Sequence, residues 1–447
     1  MSRLILGKRR QGGFILPGMF GAKKGGGASA GDLVTTLRLT SDAANVGTSY
    51  TISWPTPGSD PVGAYSSGNP TRLTIPTTGY YDLYACAAIY PGTINPRVEL
   101  AITKNGTTFL GYARQSSLAG NSAADAIAGR FVQAGILYLT AGDYLECVYT
   151  SANSTDDLKA SLSMPTLFEI RHIATMSGAL VNLTSDATGG PQALSFGAEV
   201  YDLNSIWSSG SSLTMPSGFT YATFTGNYLN SDASQNATLT YGVQFTRTSP
   251  NDGGRTYLYR QEAGITTPGR SFRSGPIAIS ASDVFNALLA TSEVSTQVES
   301  DTTTVGVELH SRVSCRVTRS SLLTQNITTE TIVTWDAETF DTAGMWASGD
   351  PTKIYPPAGK FRAGSAMTYS GVSGSTLGYC VIRHYNSSNV LQAEYYSGGG
   401  DSTGAYEHAS LTPQITAVSG DYLTVSHLVN TDTSISLSGT AWVEVYP

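Results

Sequence analysis

Five histidines, His172, His310, His384, His408 and His427, are the residues of this 447-residue chain best suited to proton transfer or metal binding. None stands at metal-ligand spacing from a second histidine or a cysteine, the pattern that zinc sites require. Each reads as a surface or satisfied core residue of a strand. Carboxylate pairs can cleave glycosidic bonds, which makes Asp156-Asp157 and Glu407 the residues to consider for that role. They fall in expected loops without a partner. Asp60 and Asp350 are the weak candidates for calcium, but no clustered Asp/Asn loop surrounds them. No nucleophile elbow or phosphate-binding loop occurs, and the triple glycines at 25–27 and 398–400 lack a following Lys-Ser/Thr. The four cysteines, Cys86, Cys147, Cys315 and Cys380, show no CxxC spacing and read as buried free thiols. The expectation is a protein without catalytic residues, metal or cofactor. Asn-x-Ser/Thr sites such as Asn105, Asn236 and Asn326 follow from a Ser/Thr-rich composition.

Three stretches must position whatever function there is. Ser67–Ile89 reads SGNPTRLTIPTTGYYDLYACAAI; Ser209 onward reads SGSSLTMPSGFTYATFTGNYL; Ser348 onward reads SGDPTKIYPPAGKFRAGSAMTY. Each has Ser-Gly, then proline (Pro76, Pro216, Pro357), then glycine (Gly79, Gly218, Gly359) and an aromatic strand. The separation of about 140 residues is domain-sized. A second anchor opens the copies: Leu37–Ala43, Val181–Ala187 and, more loosely, Ile332–Ala337. A third closes them: Ile136–Thr150, Ile277–Thr291 and Ile415–Val429 place Asp143, Asp283 and Asp421 at one point, between a turn and a strand. Recurrence in every copy suits a turn role for these aspartates rather than catalysis. Asn105-Gly106 and Asn386–Asn389 mark hairpins between alternating apolar runs. Val305–Val317 reads as the closing strand of copy two.

Short Thr/Val/Ile/Tyr runs between Gly, Pro, Asn and Asp clusters define an all-β chain. Charged residues make up only 13% of it, about half the usual share. Residues 1–31 carry Arg3, Lys8, Arg9, Arg10, Lys23 and Lys24 and no acid, a charge of +6; the chain total of −7 leaves −13 for the rest. An acidic body argues against nucleic-acid binding. No stretch is apolar and long enough to span a membrane, and Phe14–Phe20 is too short and broken for a signal-peptide core; assembly in a cytoplasm is expected. The expected organisation is an extended arm over 1–32, then domains at 33–174, 175–322 and 323–447. The arm pairs basic residues (Arg3, Lys8, Arg9, Arg10) with apolar ones (Phe14, Ile15, Leu16, Met19, Phe20). It buries too little to fold alone and reads as a segment that orders on a partner.

In their order, the Pro–Gly–aromatic strand (GYYDLYA, GKFRAGSA), the Asn-Gly or Asn-Ser hairpin, the strand–Gly-Asp–strand (LTAGDYLECVY, VSGDYLTVSHL) and the last aromatic strand (SLSGTAWVEVY) resemble the globular C1q/tumour-necrosis-factor jelly roll. The resemblance covers residues 33–447 in three copies; in copy two Ser282 replaces the glycine of Gly-Asp. It implies jelly-roll β-sandwiches and association as a homotrimer. A second geometry, three copies of one chain around a pseudo-threefold axis, competes with that. The layout is similar to tailed-bacteriophage virion appendages. That similarity implies a non-enzymatic, fibre-like trimeric appendage in the virion, assembled in the host cytoplasm. The arm would be anchored on another virion protein of tail, portal/neck or capsid. Alternatives are a capsid decoration or head-fibre protein, a carbohydrate-binding module array, and a glycan-cleaving tailspike. Tyr395, Tyr396 and Tyr406 flank the Gly398–Gly400 loop and are the expected contact with a host-surface glycan.

Overall fold

The computed structural model describes residues 33–90, 98–115, 128–151, 154–160, 165–183, 187–188, 192–229, 241–249, 255–257, 269–291, 297–298, 303–326, 330–372, 378–398, 404–429 and 434–446. The arm and all of its named residues lie outside them. One compact unit spans Asp32–Pro447. Its described secondary structure is β throughout, in antiparallel ladders. The chain is an all-β protein of three jelly-roll-type sandwiches, each closing on its own apolar core.

The same four strands build one sheet of every sandwich. In copy one the order is Leu33–Arg38, Leu167–Ile173, Gly79–Tyr90, Ala128–Leu139. Copy two repeats it with Gly178–Leu183, Thr304–His310, Tyr221–Leu229 and Gly269–Ala278. Copy three repeats it with Ser314–Asn326, Ser434–Tyr446, Gly359–Val372 and Gly404–Leu411. We call these the inner sheets, because the copies meet through them. In copies two and three a further strand, Phe196–Asp202 or Ala337–Asp341, covers the edge. Copy one has Pro55 and Pro57 in the matching stretch, which cannot extend a ladder; there Asp60 instead accepts a hydrogen bond from the Thr35 hydroxyl at 2.6 Å.

Ser314–Asn326 pairs with Ser434–Tyr446 and Ala337–Asp341. It belongs to the third sandwich, so the boundary between copies two and three lies at 311–313, not at 322. The Val305–Val317 run is two strands, one from each copy. Only three residues separate them, and Arg312 at the junction carries no turn signal.

The recurrent aspartates hold turns. Asp143 accepts from the Thr140 amide at 2.9 Å, Asp283 from Ser280 at 2.9 Å and Asp421 from Val418 at 3.1 Å. The preceding residue is left-handed in every copy, with φ of 93° at Gly142, 70° at Ser282 and 90° at Gly420. Ser282 therefore occupies the glycine position in spite of its side chain. A second set, unseen in the sequence, behaves likewise: Asp60, Asp202 and Asp341 accept from the amides of Tyr65, Trp207 and Trp346 at 2.8, 2.7 and 2.8 Å. The hairpin at Asn105-Gly106 has positive φ at both residues, 55° and 77°, as its turn type demands.

A left-handed non-glycine residue is strained. Ser282→Gly removes that strain but makes the unfolded chain freer. The net gain should be about 0.5–1 kcal/mol, read as a higher denaturant midpoint with unchanged slope. The reverse change, Gly420→Ser, should lower it.

Candidate functional site

Equivalent positions on the three inner sheets come together in a buried ion network. Register defines the equivalence: Asp82 pairs with Arg171, Thr223 with Glu308 and Arg362 with Glu444. Aromatic strands carry these residues because alternate positions face the sandwich core, as Tyr81 and Phe361 do, while the others face the neighbouring copies. The six are nearly or wholly enclosed.

Asp82 Oδ2 lies 2.8 Å from Arg171 Nη2 and 2.8 Å from Arg362 Nη1, and Gln133 donates to its other oxygen. Arg362 Nη2 reaches Glu169 Oε1 at 2.6 Å, and Glu169 Oε2 accepts from the Gln414 amide at 2.8 Å. Arg273 Nη2 donates to Glu308 at 2.9 Å and to Glu444 at 2.7 Å. The Thr223 hydroxyl donates to Glu444 Oε1 at 2.6 Å and lies 3.0 Å from His310 Nε2. Glu308 Oε1 is 2.5 Å from Arg312 and 3.8 Å from Arg171. The Tyr446 ring sits beneath Arg171 and Arg312, at 4.4 and 4.6 Å.

Four guanidinium groups (Arg171, Arg273, Arg312, Arg362) thus meet four carboxylates (Asp82, Glu169, Glu308, Glu444). Neutrality is what makes burial tolerable, since an uncompensated charge in such surroundings costs several kcal/mol. Burial pushes the carboxyls up, but the guanidinium groups win. Arg362 and Arg171 hold Asp82 below its ordinary range. Arg312, Arg273 and Arg171 hold Glu308 far below it, and Arg273 with His310 does the same for Glu444. The guanidinium groups and carboxylates are spent on one another. Its chemistry is adhesive: it joins copy one to copy three, three to two and one to two.

Apolar packing surrounds the ions. Trp442 packs with Tyr84, Leu167 and Leu411, and its indole lies against Gly364 and Gly275 so closely that neither tolerates a Cβ. Tyr84 donates to the Leu411 carbonyl at 2.7 Å, and Tyr201 to the Ile136 carbonyl at 3.0 Å.

Of the tyrosines expected to contact a host-surface glycan, Tyr395 and Tyr396 have described side chains. Tyr395 is half-buried against the third core, and its strand, Leu391–Gly398, packs beside Ala128–Leu139 of copy one. Tyr396 is half-buried, its hydroxyl 3.4 Å from Arg383 and 3.3 Å from Glu394. Tyr406 lies on the Gly404–Leu411 strand of the inner sheet, opposite Tyr369; its side chain is outside the described residues, as are residues 399–403. The outer end of copy three instead gathers Tyr355, Tyr385 and Tyr422. The Tyr422 ring is 5.8 Å from Tyr355 and 5.1 Å from Tyr385, with Lys353 Nζ at 4.7 Å. Tyr355 is 37% exposed, beside Val390 at 54% and Val418 at 56% on the adjoining turns. Copy one has Thr74 opposite Tyr144 at the matching place, so the tyrosine group is special to copy three.

Several of the other candidates have structural roles; the side chains of Glu407 and His408 lie outside the described residues. Asp60 caps a turn, Asp156 accepts from Tyr149 and Ser151 at 2.6 and 2.5 Å, and Asp350 accepts from Tyr355 at 2.8 Å. His384 bonds Asp421 at 3.0 Å, and burial lowers His427 to about 4. Among the described residues no group of three or more His, Cys, Asp or Glu could hold a metal ion. The Cys147 and Cys380 thiols are free and buried, and burial pushes Cys380 up to about 12.

No family model and no curated protein matches the chain. Solved structures that are similar to it include a peptide-N(4)-(N-acetyl-beta-D-glucosaminyl) asparagine amidase, at 7% identity and a TM-score of 0.26, covering 62% of this chain and 96% of that one. The tandem CBM22-1–CBM22-2 domains of Paenibacillus barcinonensis Xyn10C match at 10% identity and a TM-score of 0.19, over 64% and 99%. The infectious bursal disease virus VP2 subviral particle matches at 7% and 0.17, over 93% and 80%. At these TM-scores nothing about function follows.

Two outcomes test the network. Arg273→Met removes the one guanidinium shared by Glu308 and Glu444 and leaves the buried network with an excess negative charge, which should cost about 3–5 kcal/mol, measured by urea unfolding. Because the folded-state pKa values of Asp82, Glu308 and Glu444 are depressed, their stabilisation is complete above about pH 4.5. It is lost as pH falls through the lower folded values, so the network's own contribution, read as the difference in unfolding midpoint between wild type and Arg273→Met, should stay level from neutrality to about pH 5 and drop only in stronger acid; buried His427, held below its unfolded value, separately lowers both midpoints as pH falls below about 6.5.

Proposed function

We propose that the protein is a structural, non-catalytic component of a tailed-bacteriophage virion, attached through residues 1–32 and displaying the three sandwiches outward. The observation that carries this reading is the break at Asp32. A basic, apolar-rich segment ends where the compact acidic unit begins. Phe14, Ile15, Leu16, Met19 and Phe20 have the character of groove-filling residues, and each large side chain buried on a partner is worth about 1.5–3 kcal/mol before ordering entropy. Arg3, Lys8, Arg9 and Arg10 add charge-assisted hydrogen bonds to an acidic or carbonyl-lined surface. The fused sandwiches supply a rigid body on which outer turns can carry recognition. The exposed Tyr355, with Val390 and Val418, is the proposed contact with the host surface, in place of Tyr395 and Tyr396.

Deleting residues 2–24 should leave a folded body that no longer enters particles, counted as copies per purified virion. Replacing Lys8, Arg9 and Arg10 with Ser should make attachment weaker and more salt-sensitive. Wild-type copy number in the deletion would place the docking surface on the first sandwich instead. Tyr355→Ala should leave copy number unchanged and reduce adsorption of particles to cells.

A further inference from the structure

The contacts between copies repeat head to tail. Tyr80 of copy one and Tyr221 of copy two occupy the same register position, two residues before Asp82 and Thr223. Tyr201 of copy two and Phe340 of copy three also correspond, each preceding a turn-capping aspartate. Tyr80 meets Tyr201 with ring centroids 5.1 Å apart, and Tyr221 meets Phe340 at 4.8 Å. Strands repeat the pattern: Thr108–Gln115 of copy one lies beside Gly269–Ala278 of copy two, and Leu391–Gly398 of copy three beside Ala128–Leu139 of copy one. Heterologous contacts of this kind either close into a ring or propagate as an open chain. Here they close. At the third junction Lys360 and Ser59 stand where the other two junctions have rings, and Arg362 makes the closing contact with Asp82 and Glu169.

The charge pattern works only in this order. Arg362 needs the two carboxylates of copy one; copy three itself has Arg362 and Trp442 at the positions of Asp82 and Glu169. Three identical copies of the third sandwich would set guanidinium groups against one another. From this closure we infer that the protein is a single-chain pseudo-trimer. Each molecule completes its own threefold head, and among the described residues the inner faces of all three sandwiches are covered by one another. Resting on the arm reading above, each threefold head then brings one docking arm rather than three.

Native mass measurement of the full chain at micromolar concentration should give 47.0 kDa. Mixing isotopically heavy and light chains, unfolding them together and refolding should yield only all-heavy and all-light masses. A trimeric mass, or mixed-label species, would overturn the inference. Arg362→Glu sets a third carboxylate against Asp82 and Glu169 and should open the ring, giving dimers and larger species that grow with concentration. An Arg362→Glu chain that stays monomeric with an unchanged unfolding midpoint would overturn the role of the axial ions. The chain lacking residues 2–24 should keep the monomeric mass, so failure of the arm reading and failure of the closed ring are separate results.

Discussion

Eight charges gathered where the three inner sheets meet, all but Arg312 wholly or nearly enclosed, fix how the three sandwiches sit. Their Coulomb attraction is strong in that setting, but so is the penalty for removing each from solvent. The two nearly offset, so the network is weak evidence for high stability. Its consequence is selectivity. Any arrangement that slid one inner sheet past another would leave Arg362, Arg273 or Glu308 enclosed without its partner. An apolar junction of equal area would tolerate such slips, because dispersion and burial do not depend on which apolar group meets which.

The aromatic and glycine positions around the ions follow from the need for close approach. Gly364 and Gly275 lie on strands of different copies, yet both touch the Trp442 indole where a side chain would clash. Gly275 also has a left-handed φ of 68° within its strand, which bends the chain beside the ring. Packing at this distance keeps water from the guanidinium groups and so preserves the low-dielectric setting that makes their partners matter.

Much of the architecture was legible in the sequence because turns have local chemistry. Gly-Asp, Asn-Gly and Pro-x-Gly act through backbone φ and amide bonds within a few residues, so a repeat of type is a repeat of structure. Even Ser282, which breaks the motif, adopts the glycine conformation because its neighbours impose it. The junction was not legible. Asp82, Thr223 and Arg362 lie in alternating strands, where a polar residue reads as the solvent face. Only the pairing of Asp82 with a residue 280 positions away shows otherwise. The border within Val305–Val317 has the same origin: two strands separated only by residues 311–313 read as one run with no turn signal between them, and only long-range pairing assigns them to different sheets. The half-burial of Tyr395 and Tyr396 was likewise not legible, because their strand packs beside a strand of another sandwich, which no local pattern records.

Covalent continuity also explains which positions the copies share. A turn residue serves its own sandwich, so Asp143, Asp283 and Asp421 face the same requirement three times and remain aspartate. A junction residue faces a neighbour that differs in each case. Within one chain each neighbour is known and occurs once, so equivalent positions are free to become acid, hydroxyl and base. A homotrimer has no such freedom, because one residue type must satisfy all three junctions simultaneously. The asymmetry of Asp82, Thr223 and Arg362 is therefore tied to the tandem arrangement itself: the linker between sandwiches sets the order, and the order lets four positive and four negative groups sum to zero without any two copies being alike.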